Sequence, residues 1–195
     1  MVIALSGCTA FRTYSELHRG RVALLGGMPA TATSHFERVT ALDENLKYSP
    51  LQEGAWTYLG RAHYDAKRYP EARKALERAL AINGDDSFAK LYLGLTLARQ
   101  GNHETGRKQT LLGLQSLHEW LDHIAYSTPA GIYWDVTGQI RRDLQAAEAE
   151  VNAAAPNLDK LFPRLEMLGT VIEQEIELAG RDESRETNRR AGGSD

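Results

Sequence analysis

An all-α fold, a short helical solenoid capped by additional helices, is what the 195 residues predict, and three observations carry it. Ala, Leu, Glu and Arg dominate, while clusters of strand-forming residues are scarce. From Glu53 to about His118 a pattern recurs at an offset of 34 residues. Leu59-Gly60 returns as Leu93-Gly94, Ala72 aligns with Gly106, Ala79 with Gly113, and Lys67-Arg68-Tyr69 with Gly101-Asn102-His103. That period reads as stacked helix–turn–helix units. Elsewhere apolar residues recur at spacings of three and four, the mark of helices with one buried face.

Composition narrows the function. The 42% apolar and 25% charged residues are ordinary for a globular protein. A net charge of -3, with no basic face to neutralise phosphates, excludes nucleic acid as the expected partner. No run of about 18 apolar residues is present to span a bilayer. Cys8 is the single cysteine, so no internal disulfide forms.

At the amino terminus, Leu5-Ser6-Gly7-Cys8 resembles the lipobox of bacterial lipoproteins. The resemblance implies that Cys8 is acylated and anchors the chain without a spanning helix. Thr9 rather than Asp after the cysteine implies sorting to the outer membrane, facing the periplasm. Residues 1–12 then form a signal remnant and linker. A secretory signal needs a basic segment and about 7 or more apolar residues, so a start codon upstream, or a truncated copy, is expected. The alternative is a cytoplasmic protein with Cys8 unmodified.

Residues 13–52 hold the amino-terminal helices. A first helix is expected over Phe11 to Gly27, ended by Gly26-Gly27-Met28-Pro29. Ala30 to Ser34 reads as a loop, and Ser34 with Glu37 as a capping box. A helix from His35 to Tyr48 carries Phe36, Val39, Leu42 and Leu46, with Pro50 as its stop. Shifting the 34-residue frame back puts Leu25-Gly26 and Pro50 on the expected slots, but Arg38 and Asn45 where small residues belong. A degenerate leading repeat stays open.

In residues 53–86, Trp56, Leu59, Gly60, Tyr69, Ala72, Leu76 and Ala79 stand at the signature offsets of the tetratricopeptide repeat family, which this stretch closely resembles. The residue types fit the physics: Gly60 and Ala72 let two helices approach, and Trp56, Leu59 and Leu76 fill the space around them. Pro70 suits the first turn of the second helix. Residues 87–118 form a second unit that keeps Leu93, Gly94, Leu97, Gly101 and Leu114 but has Lys90 in the aromatic slot. Two units are fewer than the roughly three needed for a continuous core, so neighbouring helices must cap them.

The family resemblance implies a concave face on the first helix of each unit. Tyr58, Arg61, Tyr64 and Asp65, with Arg99 at the end of the next helix, are thereby the candidate open partner-binding surface. Phe88, Leu91 and Leu95 lie on a helix apolar nearly all round, so the last helix of this chain, or a partner, is expected to cover them. Lys and Asn of the carboxylate-clamp subclass are missing at Thr57, Arg61 and Tyr92, so an acidic chaperone tail is not implied.

Residues 119–180 supply capping helices. His118-Glu119-Trp120-Leu121-Asp122-His123 invites a metal reading, but the histidines are five apart, about 140° around a helix, and no third ligand stands out. Surface polarity beside a core stripe of Leu114, Leu117, Leu121 and Ile124 is the better account. Tyr133-Trp134 is expected to plug the repeat stack, and Asp135 to cap a helix running to about Ala155. Pro156-Asn157 starts a last helix striped with Leu161, Phe162, Leu165, Leu168, Ile172 and Ile176. Residues 181–195 are charged or small and read as a disordered tail.

The expected function is a non-catalytic scaffold that binds another protein, needs no cofactor or metal, and reaches the membrane through lipid on Cys8. A cytosolic adaptor is the alternative. A metal-dependent enzyme using His118, Asp122 and His123, or Tyr133 and Asp135, is a remote third, because no nucleophile–base spacing, phosphate-cradling loop or Cys/His cluster supports it.

Overall fold

Three helix hairpins follow one another along the first two thirds of the chain. The computed structural model describes residues 4–48, 53–154 and 156–192. In order they form α1 (Ala4–Leu25), α2 (Pro29–Leu42), β1 (Lys47–Tyr48), β2 (Glu53–Gly54), α3 (Ala55–Asp65), α4 (Tyr69–Ile82), α5 (Ser87–Arg99) and α6 (His103–Ser127). A 3-10 turn (Pro129–Tyr133), α7 (Gln139–Val151) and α8 (Leu158–Gly192) follow. The chain divides into two compact units, Met1–Gly113 and Leu114–Asp195.

The hairpin turns of the first unit share one design. Gly27, Lys67 and Gly101 each take a left-handed conformation, with φ of 68°, 59° and 88°. Their N–H groups bond to Leu24, Tyr64 and Ala98 at 3.0, 2.8 and 3.0 Å. The next N–H groups, of Met28, Arg68 and Asn102, reach back to Ala23, His63 and Leu97 at 2.9 Å each. This double bond closes the last helical carbonyls and reverses the chain. A left-handed conformation costs a side-chain-bearing residue about 1–2 kcal/mol, and only the middle turn bears that cost. Lys67→Gly is therefore expected to stabilise the chain by roughly 0.5–1 kcal/mol after glycine's entropy loss. Thermal denaturation followed by circular dichroism checks it, and a lowered midpoint would contradict it.

The first hairpin stands 40 residues, not 34, before the second. At that offset Gly20, Ala32 and Phe36 take the places of Gly60, Ala72 and Leu76. A Cβ on Gly20 would lie 2.5 Å from the Phe36 ring, and one on Gly60 would lie 2.5 Å from the Leu76 side chain. The first hairpin thus makes the same close helix contact as the second, at an offset longer by the six residues inserted around the strands. Those strands pair antiparallel, Lys47 opposite Gly54 and Tyr48 opposite Glu53.

Two local expectations fail for reasons visible in the helix itself. Ala30 to Ser34 is helical, because Pro29 supplies a pre-set φ at the first turn. Ala32, Thr33 and Phe36 are buried on that helix. Ser34 makes no capping box: its hydroxyl donates to the Ala30 carbonyl, one turn back, at 3.3 Å. The helix ends at Leu42, with Leu46 buried from the following loop. Pro50 lies outside the described residues. Glu16 ties α1 to α2, accepting from His35 Nδ1 at 2.8 Å and Arg38 Nε at 2.6 Å. These bonds hold its carboxyl at about 2, well below the usual range.

The second unit buries its apolar stripes. Leu117, Leu121, Ile124, Trp134, Leu165 and Ile172 are buried, so the stripes expected on α6 and α8 are covered, and Leu144, Ala147 and Val151 form a third buried stripe on α7. Asp135 caps α7 from further upstream than expected. The helix begins at Gln139, yet the Asp135 carboxylate accepts from the N–H groups of Ile140 and Arg141 at 3.0 and 3.1 Å. The chain is helical through Gly192 rather than disordered from Arg181. Pairs such as Arg185–Asp182 at 3.4 Å and Arg189–Glu186 at 2.9 Å place opposite charges one turn apart, which supports a solvated helix.

Candidate functional site

The face expected to be open is largely interior. Tyr58, Arg61 and Tyr64 are buried, whereas Asp65 and Arg99 are exposed at the ends of α3 and α5. Aromatic packing explains the correction. Tyr58 stacks on Phe36 of α2 with ring centres 5.3 Å apart. Tyr64 meets Tyr69 and the edge of Tyr92, each at 5.6 Å. Arg99 Nε approaches the Tyr64 hydroxyl at 3.3 Å, so the exposed rim rests on the buried rings. Burial pushes the Tyr92 phenol up to about 12, fixing it as a neutral ring.

Arg61 is the electrostatic centre. Its Nη1 donates to both Glu53 oxygens, at 3.0 and 3.1 Å, with the two side chains 3% and 1% exposed. Its guanidinium lies 4.7, 5.1 and 5.5 Å from the ring centres of Phe88, Tyr92 and Tyr58, placing the cation against negative ring faces. Arg21, at the equivalent place one hairpin earlier, is likewise buried, with its guanidinium 3.9 Å over the Tyr48 ring.

A second buried carboxylate, Asp86, joins successive repeats. One oxygen accepts from Ala89 N–H at 2.9 Å and so caps α5. The other accepts from Gly54 N–H at 3.0 Å and the Thr57 hydroxyl at 2.6 Å. Desolvation raises its affinity for a proton, and these bonds oppose that shift. Sequence reasoning missed Glu53 and Asp86. Asp86 directly before Ser87 was a usable capping signal, whereas the pairing of Glu53 with Arg61 depends on the turn into α3.

Phe88, Leu91 and Leu95 are buried, as is nearly all of α5. Leu91 lies against the bare backbone of Gly113 on α6. Cys8 lies on α1, and its side chain is outside the described residues. His118 bonds Glu148 at 3.0 Å and lies 3.8 Å from Asp122, while His123 stacks on Trp120. Among the described residues no group of three or more His, Cys, Asp or Glu is placed to hold a metal. No described helix is long and apolar enough to cross a membrane.

The architecture is that of an all-α, tetratricopeptide-type helical fold. Comparison with known proteins agrees: residues 54–86 match the family model described as tetratricopeptide repeat. Superkiller protein 3 of Schizosaccharomyces pombe is 29% identical over 80 residues, 41% of this chain and 6% of that protein. The aligned region is therefore a small part of that relative. No solved structure matches the chain.

Proposed function

We propose that this chain is a non-catalytic scaffold that holds another protein on its repeat surface and is tethered to the bacterial outer membrane, facing the periplasm, through an acylated Cys8. The match of residues 54–86 to a repeat that mediates protein–protein contact carries the binding half. Asp65 and Arg99 are the groups it offers to a partner, being exposed above a rigid ring cluster. Leu5-Ser6-Gly7-Cys8-Thr9 supports the tether. A photo-crosslinking residue at Asp65 or Arg99, in the cells that make the protein, is expected to give a discrete heteromeric adduct. The same probe at Lys74, on the exposed side of α4, is expected to give none. Absence of adducts at all three positions would reject the scaffold. Intact-mass measurement of the membrane fraction decides the tether, and an unacylated Cys8 rejects it. The cytosolic reading has one observation in its favour: α1 runs unbroken from Ala4 past Cys8, and cleavage before the cysteine would remove its first turn.

A further inference from the structure

The three hairpins share one register, and that register singles out one exposed face of α1. On α3, Ala55, Tyr58 and Ala62 face the preceding hairpin and are buried, with Tyr58 stacked on Phe36 of α2. On α5, 34 residues on, the same places hold Ala89, Tyr92 and Thr96, all buried. On α1, 40 residues before α3, they hold Ser15, His18 and Val22. His18 and Val22 are exposed, and Ser15 is half-buried. At about 100° per residue, Phe11, Tyr14, His18 and Val22 fall on one side of α1, with half-buried Leu25 continuing the row. Phe11 is 78% exposed, and Tyr14 and Val22 are 53% exposed each. Single exposed apolar residues need no account, but a row of them on the side of α1 that carries the register positions His18 and Val22 does.

We infer that this face of α1 is a docking surface for one amphipathic helix of a partner protein, laid where α2 lies on α3. The charge beside it selects the partner's border. Arg12 and Arg19 are exposed along one edge. Glu16, on the same side, is held by His35 and Arg38 and lies 3.7 Å from Arg19. The edge is therefore cationic, so the incoming helix carries apolar residues at spacings of three and four with acidic residues beside them. A second copy would bring Arg12 and Arg19 against their like in a symmetric pairing, which disfavours self-association. The inference rests on the scaffold reading and gives it a second, distinct surface.

The test uses the full chain and a stapled helical peptide. The peptide keeps the buried residues Ala32, Thr33, Phe36 and Val39 of α2, with glutamates at the outward positions; a sibling carries lysines there. Fluorescence anisotropy is expected to show the glutamate peptide binding at least about tenfold more tightly than the lysine peptide. Arg12→Glu with Arg19→Glu is expected to reverse that order. Tyr14→Glu with Val22→Glu is expected to weaken binding at least about tenfold without changing helicity or melting, since both side chains are exposed. Equal affinity for the two peptides, or unaltered affinity in the Tyr14/Val22 variant, would overturn the inference. So would a dimer in sedimentation, or binding to anionic phospholipid vesicles without peptide binding, that the same variant abolishes. Adducts retained at Asp65 and Arg99 while the peptide fails to bind would overturn this surface alone; loss of both would overturn the scaffold as well.

Discussion

Replacing Glu53 by alanine is expected to destabilise the chain by about 3–5 kcal/mol, the usual cost of stripping a partner from a buried ion pair. Arg61 cannot discharge, since its guanidinium stays protonated at any ordinary pH. Three aromatic rings attract the cation, and Asp86 and the Tyr92 hydroxyl interact with it as well, but none of these replaces a carboxylate that takes two hydrogen bonds. Against a total stability of roughly 5–15 kcal/mol, that loss is a large share of what holds the chain folded. The repeat itself supplies the compensating variant. Leu95 occupies on α5 the place that Arg61 occupies on α3, so the fold accepts leucine there. Glu53→Leu combined with Arg61→Leu removes both charges and is expected to lie within about 1–2 kcal/mol of the parent, on either side. Urea denaturation of the two single variants and the double variant measures this as a cycle. A Glu53→Ala variant within about 1 kcal/mol of the parent would show that the guanidinium reaches water.

Much of the fold was legible because close helix contacts demand small residues at fixed places. Gly60, Ala72 and Ala79, spaced by the crossing of two helices, are hard to mimic by chance, and so are their echoes at Gly94, Gly106 and Gly113. The leading hairpin escaped for an equally physical reason. The insertion holding Lys47–Tyr48 and Glu53–Gly54 changes the period to 40, and a fixed frame puts Arg38 where no large side chain fits. Gly20, Ala32 and Phe36 carried the signal for a reader who let the frame slide. The acidic and basic run beyond Arg181 looked like a solvated coil because its charges balance along a helix without any apolar stripe. For the binding face, polar and aromatic residues on α3 suggested an open surface. Whether Tyr58 or Arg61 meets solvent depends instead on Phe36 from the preceding hairpin and on Glu53 before the helix. Neither contact follows from the local pattern, and only Asp65 and Arg99, at the helix ends, kept the exposure assigned to them.

The same small-residue rule yields a prediction whose sign runs against helix propensity. Glycine to alanine inside a helix ordinarily gains about 1 kcal/mol. Gly180, with nothing within 4 Å of an added Cβ, is expected to show that gain. At Gly94 the new carbon would lie 2.3 Å from the backbone nitrogen of Thr110, and at Gly113 it would lie 2.4 Å from that of Leu91. Backbone cannot turn aside as a side chain can, so α5 and α6 must separate along their contact. Overpacking of this kind costs about 1–3 kcal/mol, so Gly94→Ala and Gly113→Ala are expected to be net destabilising despite the propensity gain. Gly60→Ala meets the Leu76 side chain rather than backbone and is expected to fall between these two and Gly180→Ala. Urea midpoints at constant slope rank the four variants. If all four shift in the direction of Gly180→Ala, the close approach of α5 and α6 does not limit the packing of these repeats. If the ranking holds, the glycines are retained for contact, and the helix propensity they forfeit is the cost of bringing two backbones together.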